Sequence, residues 1–293
     1  MEAPVSSPPQ RVVSLVPSVT ESLFDLGLGS RVVGVTDYCV FPAEGVRHLS
    51  HVGGTKNPDL DRIRSLEPDL VIANREENRR EDVEALQAAG VAVWVTFPKT
   101  VQEALNLLWA MMDIFDAPTM VPRVRLIEQT VDFVERIGMT RTQPCRVFVP
   151  IWYDPLMTFN ADTYIHDLVR VCGGANVFAD RERRYPLDAD IGLAQPYAAD
   201  DARAAGRDTR YPRVTIDEVV ASQPDVILLP SEPYTFTADH VHLFEGLDVP
   251  AAHSGAIHLC DGSLLTWHGT RIAHALTVLP ALFCSTEENQ HVG

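Results

Sequence analysis

The chain has 293 residues, 46% of them hydrophobic and 22% charged, which is ordinary globular usage and excludes disorder as its main state. Acidic residues number 40 against 24 basic, a formal charge of −16 whose field repels phosphate backbones and anionic lipid and so argues against nucleic-acid binding. The longest apolar stretch, near Leu105 to Phe115, is interrupted by Asn106 and Asp113 and falls short of the ~20 residues that a membrane span needs.

Residues 1–10 read as a flexible Pro/Ser-rich tail with no basic start and no apolar segment of a secretory signal. That places the chain as given in the cytoplasm; an incomplete N-terminus would make it periplasmic or cell-surface. Five cysteines at wide spacings (Cys39, Cys145, Cys172, Cys260 and Cys284) fit neither a disulfide framework nor a metal knuckle. Val12 to Val16 is a β-branched run that leads through Pro17 into a helix, with Ser18 and Glu21 at capping-box spacing and Gly27 as its stop. Val32 to Val35 reads as the next strand, LDRIRSL after Asp59 as a helix, Leu70 to Ala73 as a strand, Arg80 to Ala89 as a helix stopped by Gly90, and Val91 to Val95 as a strand. This alternation predicts an α/β unit with mainly parallel strands.

Val101 to Ile137 reads as helical with breaks at Pro118 and Pro122, and a second alternation follows: strand Arg146 to Val149, helix Tyr164 to Val171 and strand Val226 to Leu229. The expected organisation is an N-terminal lobe at 11–117, a connecting helix at 118–143, a C-terminal lobe at 144–285 with a long aperiodic insertion at 179–213, and a tail at 286–293. LDRIRSLEPDLVIA from Leu60 and IDEVVASQPDVILL from Ile216 share one pattern, in which Asp61 matches Asp217 and Pro68-Asp69 matches Pro224-Asp225. Duplication and a common helix-to-strand turn explain the match equally well.

Ligands of open α/β sheets bind at the carboxyl ends of strands. The loops expected there hold nine of the 22 aromatic residues: Tyr38, Phe41, Phe97, Trp152, Tyr153, Phe159, Tyr234, Phe236 and Trp267. Phe41, Phe97 and Phe236 read better as lids on the core; Trp152, Tyr153 and Trp267 read better as contacts to a large, flat, partly apolar ligand. The nucleophile elbow, zinc-protease and phosphate-loop motifs are absent. His240 and His242, two apart on an apparent helix, point to different faces and read as surface residues. His268 in TWHGTR reads as a ligand hydrogen-bond partner, a metal ligand or a helix cap, and Arg271 as an ion-pair partner before an anion contact.

The strings RVVSLVPSVTESLFDLGLGSRVVGVTDYCVFP, VGGTKNPDLDRIRSLEPDLVIA, LVRVCGGANVF and VTIDEVVASQPDVILLP occur in that order. Together they resemble the substrate-binding proteins of cobalamin and iron-siderophore ABC importers, and within them the cobalamin receptors, from about Arg11 to Phe283. The resemblance implies two Rossmann-like α/β lobes joined by one long rigid helix, a ligand cleft between them, no catalysis, no covalent cofactor, no resident metal and a monomer. It implies cobalamin or a related corrinoid as ligand, with Tyr38, Trp152, Tyr153, Phe159, Trp267, His268 and Arg271 as contacts, and Asp61 and Asp217 as the carboxylates that dock on the permease. A cytoplasmic member would act as a carrier or sensor. GGTKNP stands where cobalamin receptors often carry a tryptophan, leaving Tyr185 or Tyr197 of the insertion to compensate. Some relatives carry a disulfide at the corresponding places, which implies a Cys172–Cys284 pair only in an exported chain. The alternatives are a ferric-siderophore or haem binder, and a metal-dependent enzyme using His268 with an acid such as Asp261.

Overall fold

The computed structural model describes residues 5–141, 143–198 and 200–283 and divides into two units. The first holds the chain up to Gln129 together with Trp267–Ala273; the second holds Thr130–Thr266 and the chain from His274. The expected pairing of Cys172 with Cys284 and the tail at 286–293 lie outside the described residues.

Strands β1 (Val12–Ser14), β2 (Val32–Val35), β3 (Ser50–His51), β6 (Leu70–Asn74) and β7 (Val93–Thr96) make the sheet of the first unit, and β4 (Gly53–Gly54) and β5 (Asn57–Pro58) a separate antiparallel pair. The sheet is parallel throughout, in the order β3-β2-β1-β6-β7, with its topological switch between β1 and β6. Every residue of β6 is buried, as expected of a central parallel strand covered on both faces. Around the sheet lie α1 (Pro17–Asp25), α2 (Ala43–Val46), α3 (Leu60–Ser65), α4 (Arg80–Ala88), α5 (Val101–Phe115) and the first part of α6 (Val121–Met139). Val13, Leu15, Val52, Ile63, Val71, Ala73, Leu86 and Val93 form one core cluster. Gly27 and Gly90 end their helices at φ +81° and +83°, where an L side chain is strained.

The start of α1 departs from expectation. Val16 is the N-cap and has no side-chain oxygen to accept from the first turn, Pro17 occupies that turn, where its missing N–H is harmless, and Ser18 lies inside the helix. No capping box forms, and Glu21 is left for another partner.

The second unit carries the parallel sheet β11-β10-β8-β9, from β8 (Cys145–Phe148), β9 (Gly174–Asn176), β10 (Val226–Pro230) and β11 (Ile257–Cys260). Its switch falls between β8 and β10. Helices α7 (Tyr164–Val171), α8 (Ile216–Ala221), α9 (Ala238–Glu245), α10 (Pro250–Ser254) and α11 (Ser263–Thr266) belong to it, as does most of α12 (Ile272–Leu282). Phe148 sits in the core with Phe178 and Phe244 at 5.5 and 6.1 Å between ring centres.

The repeated sequence pattern is a repeated structure. Glu67 and Gln223, both followed by Pro-Asp, adopt φ of +46° and +42° between helix and strand. In the first unit Asp69 accepts the backbone N–H groups of Gln10 (2.8 Å) and Arg11 (2.9 Å), while the Arg11 guanidinium donates to the carbonyls of Leu66 and Glu67. In the second, Asp225 accepts from the N–H of Arg146 (2.8 Å), whose guanidinium donates to the carbonyls of Ser222 and Gln223. One local module thus starts β1 and β8, closing the last turns of α3 and α8 onto their sheets. The N-caps match too: Asp59 accepts from Arg62 N–H, and Thr215 from Glu218 N–H. Asp61 and Asp217 are consequently equivalent second residues of their helices.

The insertion at 179–213 has almost no regular structure, yet it is tied down by one fully buried carboxylate, Asp190. That carboxylate accepts from the backbone of Arg184 (2.5 Å) and Arg213 (3.1 Å) and pairs with the Arg181 guanidinium at 3.4 Å. A buried hub of this kind leaves no periodic trace in sequence.

Candidate functional site: aromatic rims at the carboxyl ends of the strands

In the first unit the segment 37–41 after β2 is exposed except at one buried side chain. Cys39 is buried, its sulfur 3.1 Å from Thr20 Oγ1 and 3.2 Å from Thr36 Oγ1, and burial raises its pKa. With Cys39 as the anchor, Tyr38 (63% exposed), Val40 and Phe41 (40%) project outward. Tyr38 lies beside Gly54, where a Cβ would sit 3.5 Å from the tyrosine ring.

The turn that carries Trp267, His268 and Arg271 packs into this unit rather than into the second lobe to which the resemblance assigns it. Gly269, at φ +90°, brings the turn so close to α1 that a Cβ would collide with Ser22 Oγ, and the N–H of Thr270 donates to that oxygen at 3.1 Å. Arg271 makes a two-pronged ion pair with Glu21: Nε donates to Oε2 at 2.8 Å and Nη2 to Oε1 at 2.6 Å. Its guanidinium also stands 4.7 Å from the centre of Phe41 and 5.1 Å from that of Trp267, the two rings meeting edge to face at 5.9 Å. Arg271 is therefore an ion-pair and stacking post that holds Phe41 in place, and Phe41 is an exposed ring rather than a core lid.

Trp267 and His268 are buried, with 7% exposure each. His268 Nε2 lies 3.5 Å from Asn74 Nδ2, and Asn74 also donates to Thr96 Oγ1 (3.3 Å) and accepts the N–H of Glu76 (2.7 Å). Asn78 donates to the carbonyls of Leu15 and Thr55, so the switch point between β1 and β6 is filled by this chain's own amides and imidazole. Burial pushes the His268 pKa down to about 4, which keeps the ring neutral at physiological pH. The side chain does not cap the turn that follows it. Among the described residues no group of three or more His, Cys, Asp or Glu could hold a metal, so the donor set that the enzyme reading requires around His268 and Asp261 is not found there.

In the second unit the aromatic residues gather at the switch point itself. The chain after β8 makes a tight excursion closed by Met157 N–H to Trp152 O (3.0 Å) and Ile151 N–H to Met157 O (2.8 Å), which throws out Trp152 (43% exposed) and Tyr153 (37%). Trp152 Nε1 donates to Asp154 O at 3.1 Å. Tyr234, from the loop after β10, is the hub: its ring centre lies 5.4 Å from Trp152, 6.2 Å from Tyr153, 4.9 Å from Phe236 and 5.4 Å from His240. Phe159 and Phe236 are buried below the rim, with 1% and 4% exposure, and Phe159 has no surface to offer a ligand.

His240 was legible only as a surface histidine; the structure corrects this. It occupies the third position of α9 after Thr237, the place of Glu or Gln in a capping box, and it packs against Tyr153, Tyr234 and Phe236. Thr-x-x-His is the signal that could have found it. The insertion's rings are occupied within the insertion: Tyr197 has the Arg203 guanidinium 4.0 Å from its centre, and Tyr185 has Arg207 at 4.8 Å and Arg183 at 5.8 Å. Asp61 and Asp217 are both exposed, Asp61 pairing with Arg64.

Parallel α/β sheets take ligands at the carboxyl ends of their strands, which is where each unit presents its exposed rings. The chain belongs to the periplasmic binding protein family, whose family model matches residues 12–200. Vitamin B12-binding proteins of Yersinia pestis and Yersinia pseudotuberculosis are 31% identical to it over 178 residues, which is 60% of this chain and 63% of theirs. Among solved structures, the periplasmic vitamin B12-binding protein of Vibrio cholerae superposes with a TM-score of 0.73 at 20% identity, over 97% of this chain and 99% of that one. The periplasmic haem-binding protein of Roseiflexus sp. RS-1 does so with a TM-score of 0.70 at 24% identity, over 95% and 98%. Among the described residues no helix is long and apolar enough to cross a membrane.

Proposed function

We propose that this protein is a solute receptor for a large flat metal macrocycle, a corrinoid such as cobalamin in the first place. Each unit by itself offers exposed rings suited to such a ligand: Tyr38 and Phe41 in the first, Trp152 and Tyr153 in the second. The observation that carries this reading is the exposure of those four rings at the carboxyl ends of strands, where parallel α/β sheets take their ligands. The vitamin B12-binding relatives favour a corrinoid; the haem-binding neighbours make haem the competing ligand.

Delivery to an ABC importer follows as part of the same reading. Asp61 and Asp217, exposed and equivalent in the repeated module, are suited to grip two like permease subunits through arginines. In that role the protein works in the periplasm, as its solved neighbours do.

The test is a titration of the purified protein with aquocobalamin, cyanocobalamin and haemin, followed by tryptophan quenching and by the absorption bands of the ligand. Saturable binding of a cobalamin at micromolar Kd or tighter, weakened about tenfold or more by Trp152→Ala, supports the corrinoid reading. Binding of haemin alone reassigns the ligand, and binding of none of the three removes the macrocycle. Asp61→Lys combined with Asp217→Lys should abolish receptor-stimulated ATPase of a cobalamin importer without changing ligand affinity.

A further inference from the structure

We infer that Tyr234 is a fixed hydrogen-bond donor to the ligand, aimed by His240, and that the solute therefore presents a carbonyl or carboxylate oxygen to the rim of the second unit. This rests on the macrocycle reading above and specifies what the rim asks of the ligand's periphery.

The argument is one of proton placement. The backbone N–H of Thr237 donates to Nδ1 of His240 at 3.0 Å, and an N–H aimed at a ring nitrogen requires that nitrogen to carry no hydrogen. The neutral ring then bears its proton on Nε2, which lies 3.1 Å from the Tyr234 hydroxyl. Nε2–H must donate, so the tyrosine oxygen accepts and cannot give its own proton to the histidine. That proton is left to a further acceptor, and the hydroxyl's only side-chain bond among the described residues is the one to His240.

The same contacts fix where the donor stands. Tyr234 is held between Trp152, Tyr153, Phe236 and His240 at centre-to-centre distances of 4.9 to 6.2 Å. His240 is in turn fixed by its capping contact with Thr237 at the start of α9. A donor locked in one orientation beside two exposed rings suits a ligand that lays an apolar face on the rings and an oxygen at its edge. Corrinoid amides and haem propionates both have that chemistry, and they differ in charge.

The experiment has two arms. In the first, nitrogen-15 NMR of the imidazoles identifies the His240 tautomer in the unliganded protein, with His240→Gln providing the assignment. The Nε2–H form is expected; the Nδ1–H form overturns the proposal. In the second, Tyr234→Phe, His240→Gln and the double variant are titrated with cyanocobalamin and haemin. Gln keeps the capping box while removing the ring that aims the hydroxyl.

Each single variant should weaken a bound amide ligand about three- to tenfold, or a bound carboxylate ligand ten- to a hundredfold. The double variant should lose no more than either single one, because both remove the same bond. Unchanged affinity in Tyr234→Phe, or additive losses, overturns the assignment even when the tautomer is as expected. If the unaltered protein binds neither macrocycle, the reading of the ligand itself falls, and this assignment falls with it; the tautomer arm then separates a wrong ligand from a wrong proton placement.

Discussion

Replacing Arg271 with alanine should destabilise the first unit by about 4 kcal/mol. The side chains of Arg271 and Glu21 are only 10% and 14% exposed, so the pair is largely desolvated and the substitution leaves a buried carboxylate with its principal partner gone. Breaking such a pair costs about 3–5 kcal/mol. Loss of the cation–π contacts with Phe41 and Trp267 adds about 0.5–1 kcal/mol each, with overlap between the contributions. At roughly 2–4 °C per kcal/mol, the expected fall in Tm is about 8–16 °C. Urea unfolding and calorimetry measure the effect, and Trp267 fluorescence reports on the site. The combined variant Glu21→Leu, Arg271→Met should return to within about 1 kcal/mol of the starting protein, since apolar replacement of both partners leaves no orphaned charge. A loss below about 1 kcal/mol in Arg271→Ala, or a double variant as unstable as the single one, would refute the claim that the charge pair holds this turn on α1.

Three further outcomes follow from the same structure. The folded-state pKa of His268 is about 4 against an ordinary 6.5, so between those values the unfolded chain takes up a proton that the folded chain does not. Stability from this group is fully present above about pH 6.5 and is lost as pH falls towards about 4, by up to about 3 kcal/mol. The stability difference between the protein and His268→Phe should therefore change between about pH 7.5 and about pH 4.5, and a constant difference would exclude a buried neutral imidazole. Asp190→Asn weakens the charged bonds that gather Arg181, Arg184 and Arg213, so hydrogen exchange should quicken across 179–213 and not in β1, β6 or β7; uniform change across the chain would contradict the hub. Glu67→Gly should stabilise by about 0.5–1 kcal/mol by relieving a positive φ. Gln223→Gly should gain less, because the Gln223 amide donates to the carbonyls of Val220 and Asp248 at 2.8 and 2.9 Å; equal gains at the two sites would show those bonds to be worthless.

The local grammar of the chain was legible without coordinates. Helix ends at Gly27 and Gly90, the span Tyr164–Val171 and the buried run of β6 all depend on residues within a few positions of one another. So does the repeated helix, Pro-Asp and strand, whose shared sequence also carried the equivalence of Asp61 and Asp217. The parallel α/β class follows from that alternation alone, because strands that point the same way need helical crossovers. Residues whose role lies in a long-range partner were misread. Glu21 has capping-box spacing from Ser18, yet Pro17 already starts the helix and Glu21 spends its charge on a residue 250 positions away. Phe159 and Trp152 share one loop and look alike in sequence, but the bridge at Met157 turns one outward and leaves the other in the core. Asp190 has no periodic neighbours and becomes the centre of the insertion only because two arginine-bearing stretches, 181–184 and the one that ends in Arg213, converge on it. Short-range sterics and periodicity determined the elements by themselves, whereas burial and the company each ring keeps were decided by tertiary packing, since they depend on which distant groups share a desolvated space.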